Sequence, residues 1–231
     1  KGDKDLDLLI IDKTVPDTTY REHKGLMWLL NQQKYVQSNG ERYNLKEDYI
    51  GFVPKKDQTY NIKNIPSSTD QYDAVYIADT YGVYEEEFHN ENVSGKRSTK
   101  LYGGLTDQDM DALKDMAVKD GKTLIAEFNS MAQPTEEATR KKFYSLFNLE
   151  WSGWIGRYFP ELENSEVPQW VRDNYEKQYE AAYNFKGPGY VLVDENDRLV
   201  VLDMEDIGNL VSASVPGCRP RTEPTIRHLL F

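Results

Sequence analysis

Three short apolar runs, each followed by a polar cluster, define the expected architecture of this chain. They cover residues 8–11, 74–78 and 123–126, and helical patterns lie between them. Continuous apolar strands that alternate with helices are typical of a parallel sheet covered by helices on both faces. The sequence therefore predicts an α/β fold with a mostly parallel sheet, whose strand ends form a candidate ligand cleft.

The segments between and after these runs predict helices and one hairpin. Apolar positions recur at helical spacing over 20–36, and Thr106 begins a second helix with a capping-box pattern. The apolar runs 190–193 and 199–202 flank a polar turn. They predict a C-terminal β-hairpin, which we expect to be added to the parallel sheet.

Length and local composition predict one domain followed by a tail. A chain of 231 residues suits a single large domain, so we expect one α/β domain over 1–211 with inserted loops. The connection at 81–104 has no strong periodicity, and connections of that length are typically lids or disordered segments. Residues 212–231 are rich in basic side chains and have neither strand nor helix periodicity, which predicts an irregular C-terminal tail without a site.

The charge balance narrows the range of partners. The formal net charge is -11, whereas nucleic acids and anionic membranes both require a cationic surface. We therefore expect no nucleic-acid partner, and no run reaches the about 18 apolar residues of a membrane-spanning helix. The 16 tyrosines suit a groove for a carbohydrate or another small polar ligand, or for a protein partner, although tyrosine is also common at half-buried surfaces.

The beginning of the chain bears on its expected location. It starts at Lys1 with polar residues and without methionine. That beginning suggests an upstream signal or anchor. We therefore expect an extracytoplasmic location, with a cytoplasmic one left open.

The familiar catalytic motifs are missing from the sequence. There is no glycine-rich dinucleotide loop, no Walker phosphate loop, no Gly-x-Ser-x-Gly elbow and no His-Glu-x-x-His zinc helix. The three histidines, His23, His89 and His228, lie far apart, and Cys218 is the single cysteine. We predict no metal site and no cofactor.

The order of elements resembles the class I glutamine amidotransferase-like superfamily. The resemblance rests on the strand at 72–79, the helix at 105–114 and the glycine-to-strand segment at 121–126, and it covers roughly residues 5–150. It implies a flavodoxin-like sheet with helices on both faces.

The residues that carry the chemistry of that superfamily are absent. The resemblance implies a cysteine flanked by glycines after the third strand, where this chain has Ala126-Glu127-Phe128-Asn129-Ser130. It also implies a late His-x-Glu pair, but His228 is followed by two leucines. Without the nucleophile and the base, glutamine hydrolysis is excluded.

The polar residues after the first strand form the first part of the candidate site. They are Asp12, Lys13, Tyr20, Arg21, Glu22, His23 and Lys24. The basic residues could hold a carboxylate or phosphate, and Glu22 or His23 could move a proton. The alternative is that the charged residues form surface pairs and His23 only begins a helix.

The other two strand ends complete the candidate site. Asp79, Thr80, Tyr81 and Tyr84 suit the binding of sugar hydroxyls, since they combine a carboxylate with aromatic rings, and the alternative is a turn cap. Glu127 and Asn129 would face the same crevice. Glu127 could pair with an aspartate of another strand end for carboxylate catalysis, or it could be neutral or paired inside the sheet.

Two functions follow from this pattern. The first is a non-catalytic ligand-binding or interaction domain, of a bacterial cell-surface or polysaccharide-related system. The second is a carboxylate-dependent hydrolase of a glycan-like substrate, which would use Glu127 with Asp12 or Asp79. The absence of a nucleophile favours the first.

Overall fold

The chain divides into two compact units. The computed structural model describes residues 2–89 and 98–206. Within the described residues the first unit ends at Glu150 and the second begins at Trp151. A single domain over 1–211 stays a prediction, and the tail at 212–231 lies outside the described residues.

The first unit alternates strands and helices along most of its length. Its elements, in chain order, are β1 (Lys4–Asp5), β2 (Leu8–Asp12), α1 (Arg21–Gln32), β3 (Tyr35–Val36), β4 (Ile50–Pro54), β5 (Tyr60–Lys63), β6 (Ala74–Asp79), β7 (Val83–Tyr84), α2 (Glu85–Phe88), β8 (Lys100–Tyr102), α3 (Asp107–Lys114), β9 (Thr123–Ala126) and α4 (Glu137–Phe147). A π-helical turn (Asp115–Lys119) follows α3, and a 3₁₀ turn (Phe128–Ser130) follows β9.

A mostly parallel sheet lies at the centre of this unit. Its strand order is β5-β4-β2-β6-β9. β4, β2, β6 and β9 run parallel, and β5 pairs antiparallel with β4 at one edge. The structure therefore confirms a mixed α/β fold, and the three predicted apolar runs are the adjacent strands β2, β6 and β9.

Strand β2 is buried on both faces. Leu8 and Ile10 pack with Met27 of α1 in one core cluster. Because side chains alternate along a strand, Leu9 and Ile11 face the opposite side, where they are 2% and 0% exposed. This double burial explains why the strand is a continuous apolar run.

Two helices follow the predicted patterns to different extents. Thr106 caps α3 through a capping box with Asp109, as predicted. α1 is shorter than the expected 20–36, because Lys34 adopts a left-handed φ of 61° and ends the helical conformation. Val36 belongs instead to β3, which pairs with β1.

The connection at 81–104 is more regular than expected within its described residues. β7 and β8 pair antiparallel, and α2 lies between them in sequence. Val83 and Phe88 are buried against Phe52 of β4, so apolar anchors hold the described part of this connection to the sheet. Residues 90–97 lie outside the described residues.

The second unit is an antiparallel sheet with one helix. Its elements are β10 (Trp154–Phe159), α5 (Gln169–Tyr179), β11 (Gly189–Asp194) and β12 (Leu199–Asp203). The predicted hairpin is present as β11 and β12, but the expectation that it extends the parallel sheet is wrong. β10 pairs with β11 instead, in a separate sheet of order β10-β11-β12. Gly156 permits this pairing, because a Cβ there would lie 2.7 Å from the side chain of Leu192.

None of the helices within the described residues has the length and apolarity that crossing a membrane requires.

Gly51 should be essential for pairing between β4 and β2, and Gly25 should not. Gly51 has a φ of +130°, and a Cβ there would lie 1.8 Å from the carbonyl oxygen of Asp12. We expect Gly51→Ala to lower the free energy of unfolding by at least about 3 kcal/mol. Gly25 lies in α1 with open space around it, so Gly25→Ala should raise that free energy by about 0.5–1 kcal/mol. Urea denaturation measures both, and equal stability of the two variants would contradict the argument.

Candidate functional site

The carboxyl ends of β2, β6 and β9 meet at one edge of the sheet. Backbone hydrogen bonds connect them. The amide of Lys13 donates to the carbonyl of Asp79 at 2.8 Å, and the amide of Glu127 donates to the carbonyl of Ile77 at 2.9 Å. The predicted site residues that follow these strands therefore belong to one region. Their side chains divide into a buried group and an exposed group.

Asp79 is the centre of the buried group. Its carboxylate accepts hydrogen bonds from the Thr14 hydroxyl, the Tyr81 amide and the Asn129 side-chain amide, each at 2.6 Å. The residue is 2% exposed. Three donors satisfy a buried carboxylate, so this side chain holds the loops together and has little capacity left for a substrate.

Asp12 and His23 form a second buried pair, and both are 0% exposed. Nδ1 of His23 lies 2.6 Å from Oδ2 of Asp12, and Nε2 lies 2.9 Å from the carbonyl oxygen of Leu45. Since both ring nitrogens face oxygen acceptors, both contacts are hydrogen bonds when the imidazole carries two protons. The ring also stacks on Tyr49 at 4.5 Å, so His23 is a structural residue of the core.

Lys13 is buried as well, at 3% exposure. Its ammonium group donates to Asp109 at 2.6 Å and to the carbonyl of Gly104 at 2.9 Å. It also lies over the ring of Tyr102 at 5.3 Å. Because Asp109 is part of the capping box of α3, Lys13 fixes the beginning of that helix to the end of β2.

Two further predicted ligand-binding residues are also buried. Tyr20 precedes α1 with a φ of 51°, and its ring packs near His23 and Tyr49. Burial and the negative charge of Glu47 raise the pKa of Tyr20. Thr80 is 0% exposed, and its hydroxyl donates to the carbonyl of Asn129 at 3.3 Å. Both side chains are therefore part of the buried structure that supports the strand ends.

Glu127 has a partner in the neighbouring strand. The Tyr76 hydroxyl donates a short hydrogen bond to its Oε1, and Glu127 is half-buried. Burial, together with this bond and the charge of Glu127, raises the pKa of Tyr76. The alternative in which Glu127 is paired at the sheet therefore describes its surroundings better than a catalytic pair with Asp12 or Asp79.

The exposed group lies around this buried layer, and we call it the rim. It comprises Arg21, Glu22, Tyr81, Tyr84, Glu87 and Asn129. Arg21, Tyr81 and Asn129 are exposed, and the other three are half-buried. The ring centroids of Tyr81 and Tyr84 lie 5.1 Å apart.

The rim carries carboxylates that are poorly solvated. Burial raises the pKa of Glu22, although its hydrogen bond from Nε of Arg21, 2.6 Å long, acts in the opposite direction. Burial likewise raises the pKa of Glu87, and the charges of Glu22, Asp17 and Asp79 raise it further, against a lowering effect of Arg21. Arg21 is therefore hydrogen-bonded to Glu22 and also acts on Glu87, and hydroxyl or ammonium groups of a ligand could supply further donors to these two carboxylates.

The sequence identified part of this rim. Arg21, Tyr81 and Asn129 were predicted as ligand-binding residues and are exposed, and Glu22 was considered as a proton carrier. Glu87 was missed, because its glutamate run looked like a solvated loop. The apolar Phe88 that follows it was the available sign that this segment is anchored to the fold.

Comparison with known proteins adds no relative: the chain matches no family model, no curated protein and no solved structure. In the parts of the chain that the structure describes, no group of three or more histidine, cysteine, aspartate or glutamate residues is arranged to hold a metal ion.

The raised pKa of Glu87 predicts a pH-dependent effect of its substitution. The folded state binds this proton more readily than the unfolded chain, so the resulting stability is present below the ordinary pKa of 4.5 and is lost as the pH rises through the folded value. We expect Glu87→Gln to raise the free energy of unfolding at pH 7, and this gain should fade towards about pH 4.

Urea denaturation across this pH range measures the effect. Glu85→Gln is the matched control, because Glu85 is an exposed glutamate of the same helix. A gain in Glu87→Gln that does not change with pH, or an equal gain in Glu85→Gln, would contradict the assignment to burial.

Proposed function

We propose that this chain is a non-catalytic binding domain that holds a small polar ligand at the rim, and that the ligand belongs to the hydroxyl-rich class that includes carbohydrates. The observation that carries the proposal is the pair of half-buried glutamates, Glu22 and Glu87, at the rim: within the described residues Glu22 accepts a hydrogen bond from Arg21 alone, and the carboxylate of Glu87 accepts none. Sugar hydroxyls are donors of the required kind. The exposed ring of Tyr81, which lies 5.1 Å from the ring of Tyr84, offers a flat apolar face.

The scaffold is consistent with this location. Across the sheet the parallel strands follow one another as β4, β2, β6 and β9. When these four strands are numbered by their order along the chain, this arrangement is 2-1-3-4, which matches the flavodoxin-like order over those strands. We therefore propose a flavodoxin-like, amidotransferase-like scaffold without the glutaminase residues. In such sheets the crevice outside the carboxyl ends of the strands is the usual place for a ligand. An extracytoplasmic, cell-surface setting remains part of the proposal.

The hydrolase alternative receives less support from the geometry. Retaining and inverting glycosidases both need two carboxyl groups that flank an accessible substrate. Asp12 and Asp79 are 0% and 2% exposed, and donors of the protein itself occupy both. Glu127 would therefore have to catalyse hydrolysis without Asp12 or Asp79 as the second carboxyl group.

Binding of saccharides tests the proposal. Calorimetric titration with a panel of neutral, amino and acidic sugars should give at least one saturable ligand. Tyr81→Ala should weaken its binding about 3- to 10-fold, because the variant removes the aromatic face. Tyr190→Ala is the matched control, since Tyr190 lies in the second unit and has a similar exposure, 43% against 47% for Tyr81.

The outcomes separate the two functions. A panel without any saturable ligand, or equal binding by Tyr81→Ala and the original chain, would contradict the proposal. Hydrolysis of a bound oligosaccharide that is lost in Glu127→Gln would instead establish the enzyme.

A further inference from the structure

A surface groove away from the strand ends lies between α3, with its π-helical turn, and α4. Its volume is about 520 Å³, which falls in the range of small-molecule sites. The residues that line it are Met110, Asp111, Lys114, Val118, Lys141, Lys142, Ser145 and Leu146. Both walls belong to the first unit.

Three of the residues that line the groove are apolar. Met110 is buried, Leu146 is half-buried, and Val118 leaves 68% of its surface in solvent. Met110 lies in α3, and Val118 follows in the π-helical turn. A ligand that covers Val118 would remove this exposed side chain from water.

The polar lining is dominated by positive charge. Lys114, Lys141 and Lys142 face one acidic residue, Asp111. Within the described residues Lys114 makes no ion pair, whereas Lys141 binds Glu137 at 2.7 Å and Lys142 binds Asp107 at 3.1 Å. These pairs are exposed at the surface and hence weak, so a ligand can recruit both ammonium groups.

We propose that this groove binds an amphiphilic anion. The aliphatic chain lies along Met110, Val118 and Leu146, and the carboxylate, sulfate or phosphate head lies among the lysines. Charge complementarity selects this occupant, because three lysines and one aspartate line the groove in a chain whose formal net charge is -11. The proposal is independent of the rim, since no rim residue lines the groove.

Decanoate is the probe, titrated into the full chain by calorimetry below its micelle concentration. We expect saturable binding that weakens as the ionic strength rises. Acetate has the carboxylate head group without the aliphatic tail, and decyltrimethylammonium has the same tail with a positively charged head group. Both should bind at least about 10-fold more weakly than decanoate, because each lacks one of the two complementary parts.

Two substitutions locate the site. Lys114→Gln should weaken decanoate binding about 3-fold, and Val118→Ser should weaken it about 4-fold through the lost aliphatic contact. Lys119→Gln is the matched control: Lys119 belongs to the same π-helical turn, but it pairs with Asp115 and does not line the groove. Its affinity should equal that of the original chain. The unfolding midpoint of each variant verifies that it is folded.

Three results would overturn the proposal. The first is the absence of saturable decanoate binding. This result includes the case in which an acidic amphipathic peptide binds instead, which would make the groove a protein interface. The second is equal affinity for decanoate and decyltrimethylammonium. The third is an equal effect of Lys114→Gln and Lys119→Gln.

Discussion

The buried carboxylate of Asp79 is the interaction on which the arrangement of the strand ends depends. It receives donors from three separate segments, through Thr14, Tyr81 and Asn129. An ionised carboxylate in the interior costs several kcal/mol when its donors are missing. Because each donor is needed, the three loops have one arrangement that satisfies the carboxylate, and Lys13 extends the same constraint to α3 through Asp109.

This constraint separates the buried supporting residues from the rim residues that we propose bind the ligand. The buried network uses the side chains with the most obvious chemistry, including the imidazole of His23, so their donors and acceptors are directed at the protein itself. The rim residues are adjacent to that network in sequence: Glu22 precedes His23, and Tyr81 donates its backbone amide to Asp79. A rigid, hydrogen-bonded layer beneath an exposed layer is the arrangement that holds binding groups in place.

The same physics explains what the sequence could predict. Strands β2 and β6 are predictable because burial on both faces requires continuous apolar runs, and their polar ends lie together at one edge of the sheet. Whether Asp79 turns inward depends on donors from segments distant in sequence, Thr14 and Asn129, and no local pattern records those donors. β10 has no clear strand pattern in the sequence for a related reason: Gly156 interrupts its apolar residues, and this glycine lies opposite Leu192 of the adjacent strand.

Net charge, finally, describes the whole surface and does not describe each part of it. At physiological ionic strength a surface charge is largely screened beyond about 8 Å. The potential at the rim is therefore set by the charged groups that lie there, Arg21, Glu22 and Glu87, and not by the net charge of the chain. The excess of acidic residues argues against a large anionic partner such as nucleic acid, which needs an extended cationic surface. It does not argue against a small anion, because such a ligand experiences only the charges within one screening length.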